Sequence, residues 1–344
     1  MQKLTPFGRL IIVLLVLGAG FGIFKVLQNQ GIIPENFMKP AHTETTTTDN
    51  TKDEPATPEN KKDNNEPQEP EPVTETTPTF SYTPPLPQNG KLKGVVELGA
   101  TGFNSFIITI DAQKHWKLEK SEFGNSLVME NMATEDDIRA GLKSYIGTML
   151  DYGVLPKDIH FVVSSGAAKS EVTTKITNAL KTLKYFVNVV TPEQEGGLAL
   201  KCVLPEEYEN NAFVVDIGSG NTKISWKENG EVKALETYGS KYYQNSTDDN
   251  TVYEAARAKA RQILQSHTKT CFIIGGSPFK MAKEVRNGKE RYTTLKSPSD
   301  YKFTDAKDKA GLNIYKGIAN GSNCNQFVFD WDANFTIGFL LTLP

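Results

Sequence analysis

Two short runs, 119 residues apart at their acids, each place a carboxylate at the end of a β-branched stretch with a glycine turn directly after it: VVELG over 95–99, ending on Glu97, and VVDIGSGNT over 214–222, containing Asp216. A turn built on Gly218 and Gly220 lets a ligand approach the main chain, where consecutive N–H groups can cradle phosphate oxygens. Ser219, Asn221 and Thr222 add side-chain donors to that turn, and Lys223 follows it. An acid in such a place repels phosphate, so Asp216 and Glu97 suit a Mg²⁺ ion held largely through water. Gly99, Asn104 and Ser105 are the corresponding candidates around the first turn.

Positioning these groups requires a repeated unit, and self-similarity is the first thing to look for. Each acid-glycine run reads as a hairpin, 94–111 and 213–226, followed by a third strand, 116–123 and 232–238. An amphipathic helix follows, 135–151 and 252–267, then a buried strand, 160–164 and 271–274, and another helix. The order β-β-β-α-β-α occurs twice, which predicts an α/β fold with mixed sheets covered by helices. The two turns would then face each other across a cleft. The C-terminal stretch 327–343 alternates in part and is expected to complete a sheet.

The first quarter of the chain is different in kind. Residues 1–9 form a short tail, and 10–27 are uncharged from Leu10 to Phe24 apart from a closing Lys25, roughly the lower limit for a membrane-spanning helix. A signal peptide is the competing interpretation, but no A-x-A-like cleavage site follows, so an uncleaved anchor is expected. The cationic residues flanking the span are nearly balanced; the nine-residue tail would stay in the cytosol and the rest would lie on the far side. Residues 28–90, rich in Thr, Pro and Glu over 41–87, lack the apolar side chains needed to offset ordering entropy and are expected to be a disordered linker.

A net charge of -3 gives no reason to expect nucleic acid as a partner. Cys202, Cys271 and Cys324 are odd in number and far apart, against both a disulfide framework and a zinc site. The four histidines sit in unrelated segments and carry no assigned chemistry.

The ordered set VVELG (95–99), VVSSGAA (162–168), VVTPEQEGGL (189–198), VVDIGSGNT (214–222) and IIGGSP (273–278) resembles the exopolyphosphatase/guanosine-pentaphosphate phosphatase family over roughly residues 93–285. The resemblance implies duplicated ribonuclease-H-like lobes of the actin-like ATPase type, 91–208 and 209–344, closing on a polyphosphate or nucleotide polyphosphate with Mg²⁺. It implies that Glu195 is the base activating the attacking water, that Asp216 is the second-loop acid, and that Gly275, Gly276 and Ser277 form the turn closing the second lobe. Ser165, in the Ser164-Ser165-Gly166 strand end, is a further phosphate candidate. Three departures stand out: Glu97 replaces an aspartate, the turn after it is expected to be about three residues longer than usual, and Lys223 replaces an acid. The family arginine falls on Ala168 or Lys169.

Each of these residues also has a structural alternative. Glu195 in the first turn of a helix opening at Thr191-Pro192 would favour the helix dipole, Lys223 could be a solvated strand charge, and Gly275 to Pro278 could be a plain strand-to-helix turn. Two functions stay open: a membrane-anchored phosphohydrolase-like domain, or a non-hydrolysing phosphate-binding sensor or scaffold at the membrane.

Overall fold

The computed structural model describes residues 80–99, 102–123, 135–168 and 171–344. The expected anchor over 10–27, most of the linker over 28–90 and Lys169 fall outside the described residues. Among the described residues no helix is long and apolar enough to cross a membrane.

Eleven strands among these residues form two mixed sheets. The first has the order β3-β2-β1-β4-β5, from β1 (Lys91–Leu98), β2 (Phe103–Ile110), β3 (Trp116–Phe123), β4 (Ile159–Val163) and β5 (Val187–Val189). The second has the order β10-β11-β9-β6-β7-β8, from β6 (Ala212–Ile217), β7 (Asn221–Glu228), β8 (Glu231–Tyr238), β9 (Thr270–Ile274), β10 (Tyr292–Thr294) and β11 (Phe327–Asp330). In both sheets three antiparallel strands are joined by a parallel partner at the first strand: β1 with β4, and β6 with β9. The duplication expected from the two acid-glycine runs is therefore present as topology. It extends one strand further than expected, with β5 and β11 in equivalent parallel places.

Seven helices among the described residues are α1 (Glu135–Tyr152), α2 (Glu171–Thr182), α3 (Pro192–Val203), α4 (Asp249–Ala260), α5 (Gly276–Lys283), α6 (Ala306–Ser322) and α7 (Phe335–Thr342). The helix expected over 252–267 stops at Ala260, and a separate 3₁₀ turn follows over Gln265–His267. The stretch 327–343 is corrected in its second half: β11 does join the sheet, but residues 335–342 are helical, opened by the Asn334 side chain accepting the Thr336 N–H.

Alternation along the strands sorts side chains into layers. Ile107, Phe161 and Val163 face an outer core under α1 and α2, while Phe213, Val215, Ile224 and Trp226 face a second outer core under α4 and α6. Between the sheets lies a shared core in which Phe106 and Val162 of one sheet meet Val214 and Phe272 of the other, filled by Leu200 of α3 and Phe335, Ile337 and Leu340 of α7. α3 and α7 thus sit at the middle of the molecule, each buried by both halves. The three cysteines are buried free thiols.

The segment just before β1 departs from the expected linker. Phe80 places its ring 5.6 Å from that of Tyr208, 5.5 Å from Phe272 and 5.4 Å from Tyr292, and Tyr82 packs on Tyr208 and Tyr292. These two aromatic residues stand at the end of a tract otherwise poor in large apolar side chains, and they fold with the body.

Candidate functional site

The two acid-glycine turns are alike in length and bonding. β1 and β2 pair from Leu98 with Phe103, leaving the turn 99–102, and β6 and β7 pair from Ile217 with Thr222, leaving the turn 218–221. The Gly99 N–H donates to the Gly102 carbonyl at 2.9 Å, and the Gly218 N–H to the Asn221 carbonyl at 3.1 Å. The first turn is therefore as long as the second. Phe103 to Phe106 belong to β2.

Both turns open on one cavity of about 400 Å³ lined by parts of both sheets. Glu97 and Gly99 reach it from the first sheet, with Asn104 beside them; Asp216, Gly218, Ser219, Gly220, Asn221 and Lys223 reach it from the second. Glu195 closes the floor, and Gly275 and Gly276 form one rim. At the floor the backbones of the two halves come close: a Cβ on Gly220 would stand 2.9 Å from the Gly166 Cα. Gly275 has φ 107° and a Cβ there would meet the Ile217 carbonyl oxygen at 2.4 Å, so glycine is required on both counts.

Period-two geometry explains which candidates miss the cavity. On β7, Asn221 and Lys223 face the cleft while Thr222 lies between them on the other face, fully buried, with its hydroxyl unbonded. On β2, Ser105 shares a face with Ile107 of the outer core, whereas Asn104 faces the cleft. Ser277, inside the first turn of α5, is buried against Gly311 of α6. As side-chain ligands Thr222, Ser105 and Ser277 are thus corrected. Ser165 touches the site indirectly, through Glu195.

Glu195 is the hub of the floor. A capping box between Thr191 and Gln194 starts α3 and fixes the helix so that Glu195 projects from its first turn into the interior. One oxygen, Oε2, accepts from the Ser165 N–H at 2.8 Å and the Ser165 hydroxyl at 2.6 Å; the other, Oε1, is ion-paired with the Lys223 ammonium. Glu195 and Lys223 are 2% and 3% exposed, so the pair is a buried one, and Lys223 is not the solvated strand charge weighed as its alternative. Asn221 donates to the Ser165 hydroxyl at 2.9 Å and to Glu236 at 2.6 Å, tying the second half back to the first.

The other two acids have no bonded cation among the described residues. Glu97 accepts at Oε2 from Asn104 at 2.8 Å and from Asn334 at 3.0 Å. Burial pushes its carboxyl up to about 7, the two amides oppose that shift, and the charges of Asp216 and Glu195 add to it. Burial likewise pushes Asp216 up to about 6 against the pull of Lys223, with Glu195 raising it further. Among the described residues no set of three or more His, Cys, Asp or Glu is gathered closely enough to ligate a metal directly.

Sequence reasoning missed several residues here. Asn334, 237 positions from its partner Glu97, gives no local signal. Phe123, Phe279 and Trp331 wall one side, with Phe123 and Phe279 rings 6.4 Å apart across the two halves. Strand composition alone could not distinguish such rings from core. Lys307, in the first turn of α6, also lines the cavity.

No family model matches the sequence, and no curated protein matches it. Solved structures do match in fold. An exopolyphosphatase from Cytophaga hutchinsonii superposes with a TM-score of 0.57 at 13% identity, over 73% of this chain and 97% of that one. A Ppx/GppA family member from Aquifex aeolicus superposes with a TM-score of 0.53 at 17% identity, over 73% and 97%. A second structure of the Aquifex aeolicus PPX-GPPA enzyme gives 0.54 at 15% identity, over 74% and 100%. The chain has the fold of these structures, and it covers nearly their whole length.

Proposed function

We propose that the cleft binds a polyphosphate or nucleotide polyphosphate and that the domain is phosphohydrolase-like. The observation that carries this is the pair of equal four-residue turns facing one cavity with Glu97, Asp216 and Glu195 between them. Backbone N–H groups of the Gly218 to Asn221 turn would hold phosphoryl oxygens. Glu195 would orient water so that its oxygen bonds to the terminal phosphorus while the bridging P–O bond breaks, the water proton passing to the carboxylate.

Glu97 and Asp216 fit a Mg²⁺ ion bound mainly through water: both are acids without a bonded cation, buried, and each raised by neighbouring negative charge. When bound, Mg²⁺ would supply charge neutralisation for the phosphoryl oxygens. The anchor expected over 10–27 would hold the cleft at a membrane.

One observation favours the non-hydrolysing sensor or scaffold instead. Glu195 already accepts two hydrogen bonds and an ion pair, leaving roughly one of about four acceptor positions for water. Full-length protein incubated with tripolyphosphate, ATP or guanosine pentaphosphate and Mg²⁺, followed for phosphate release and thermal shift, separates the two. Release that Glu195→Gln abolishes supports hydrolysis. A thermal shift without release supports the binding module, and neither effect refutes both.

A further inference from the structure

Lys223 and Lys307 line the cleft from the second half, Lys280 lies on the neighbouring α5, and their pairing differs. Lys223 is neutralised by Glu195, and Lys280 by Asp308 at 3.0 Å. Lys307 has neither a salt bridge nor a side-chain hydrogen bond among the described residues, although it lines the same cavity as Gly275 and Gly276. The acids nearest in sequence are already occupied. Asp305 caps α6 by accepting the N–H groups of Lys307 and Asp308, and Asp308 holds Lys280.

A second lysine, Lys241, has no carboxylate partner among the described residues and is close enough for its charge to act on Lys307. Lys241 follows β8 and donates its N–H to the Ser219 carbonyl at 3.0 Å, while the preceding Ser240 N–H donates to Gly218 at 2.9 Å, so this turn is folded directly on the phosphate loop. Burial lowers the Lys307 pKa first, and the Lys241 charge is the next cause, ahead of Asp308, Lys280 and Asp305. Between these elements the hydroxyls of Ser240 and Ser277, both 1% exposed, lack hydrogen-bond partners and flank Gly311, one helical turn beyond Lys307. Holding two ammonium groups together in partly desolvated surroundings is unfavourable unless an anion lies between them.

We propose that Lys307 and Lys241 hold a second phosphoryl group of the ligand at the rim beside Gly275, so that the cleft selects chains of adjacent phosphoryl groups over a single phosphate. The assignment rests on the cleft being the ligand site, and it adds two residues that set specificity. Inorganic polyphosphate and the phosphate tail of a nucleotide share this chemistry.

Calorimetric titration of the full-length protein with inorganic phosphate, tripolyphosphate and guanosine triphosphate tests it, using Lys307→Gln, Lys241→Gln, Lys307→Arg and Lys280→Gln. Tripolyphosphate affinity is expected to fall about tenfold in Lys307→Gln and several-fold in Lys241→Gln, the scale of one charge-assisted contact, with inorganic phosphate little changed. Lys307→Arg should restore binding, and Lys280→Gln should match the parent. Equal losses with guanosine triphosphate, bound more tightly overall, would identify a nucleotide tail; equal affinity for the two would identify inorganic chains. Unchanged tripolyphosphate binding in Lys307→Gln, or a parent that binds tripolyphosphate no better than phosphate, overturns the second subsite and leaves the cleft assignment standing. A parent that binds none of the probes overturns both.

Discussion

Lys223→Met removes the ammonium that Glu195 Oε1 meets while keeping an aliphatic stem, whose Cβ packs beside Gly196. Both partners are nearly inaccessible, so the variant leaves a carboxylate in the interior with only the two Ser165 donors, and Asp216 loses the one positive charge that lowers its pKa. Breaking a buried pair from one side costs about 3–5 kcal/mol, because the remaining charge stays desolvated. The second change, Glu195→Gln in the same molecule, removes that charge and keeps an acceptor for Ser165. The double variant is therefore expected to be more stable than Lys223→Met alone, by a coupling of about 2 kcal/mol or more. Urea denaturation of parent, two single variants and double variant at pH 7 gives the cycle. The Lys223→Met deficit should also shrink at acid pH, where Asp216, raised by burial and no longer opposed by Lys223, takes up its proton. A single-variant loss under about 1 kcal/mol, or a double variant that sums its parts, would refute the claim that this ion pair organises the floor.

The acids make a further prediction with a definite sign. Glu97 and Asp216 have folded-state pKa values raised to about 7 and about 6, so the folded protein binds more protons than the unfolded chain between about pH 4 and pH 7. Stability of the ligand-free protein should fall as pH rises through that window, by on the order of 3 kcal/mol per group, and Glu97→Gln should flatten the slope. Mg²⁺ should raise the melting temperature more at pH 7.5 than at pH 5; an equal or absent effect counts against these acids as its site. Gly275→Ala, forced into positive φ and against the Ile217 carbonyl, should destabilise by about 1–3 kcal/mol and weaken tripolyphosphate binding, whereas a neutral result in denaturation would show that the turn can relax.

The repeated part of the fold was legible because both hairpins end a β-branched strand in an acid followed by glycine, and the strands expected at 116–123 and 271–274 lie where the structure has them to within a residue. The side-chain face was harder. A run such as Asn221-Thr222-Lys223 reads as three consecutive donors, yet adjacent strand residues point oppositely, and only the register shows which of them sees the cleft. α7 escaped detection because it is apolar on every side, buried between the halves with no polar face to mark a helical period. Its visible signal was Asn334, a favoured helix-opening residue. That the same asparagine also donates to Glu97 is a contact across 237 residues, which local pattern cannot carry.

The rings of Phe80 and Tyr82 have a mechanical consequence. Phe80 and Tyr82 are clamped by Tyr208, Phe272 and Tyr292 ahead of the first sheet pairing at Lys91. A pull arriving along the preceding chain would load that aromatic clamp before reaching Lys91, and Phe272 would pass it into the central layer behind the cleft. β9, which carries Phe272, leads directly into Gly275 at the cleft.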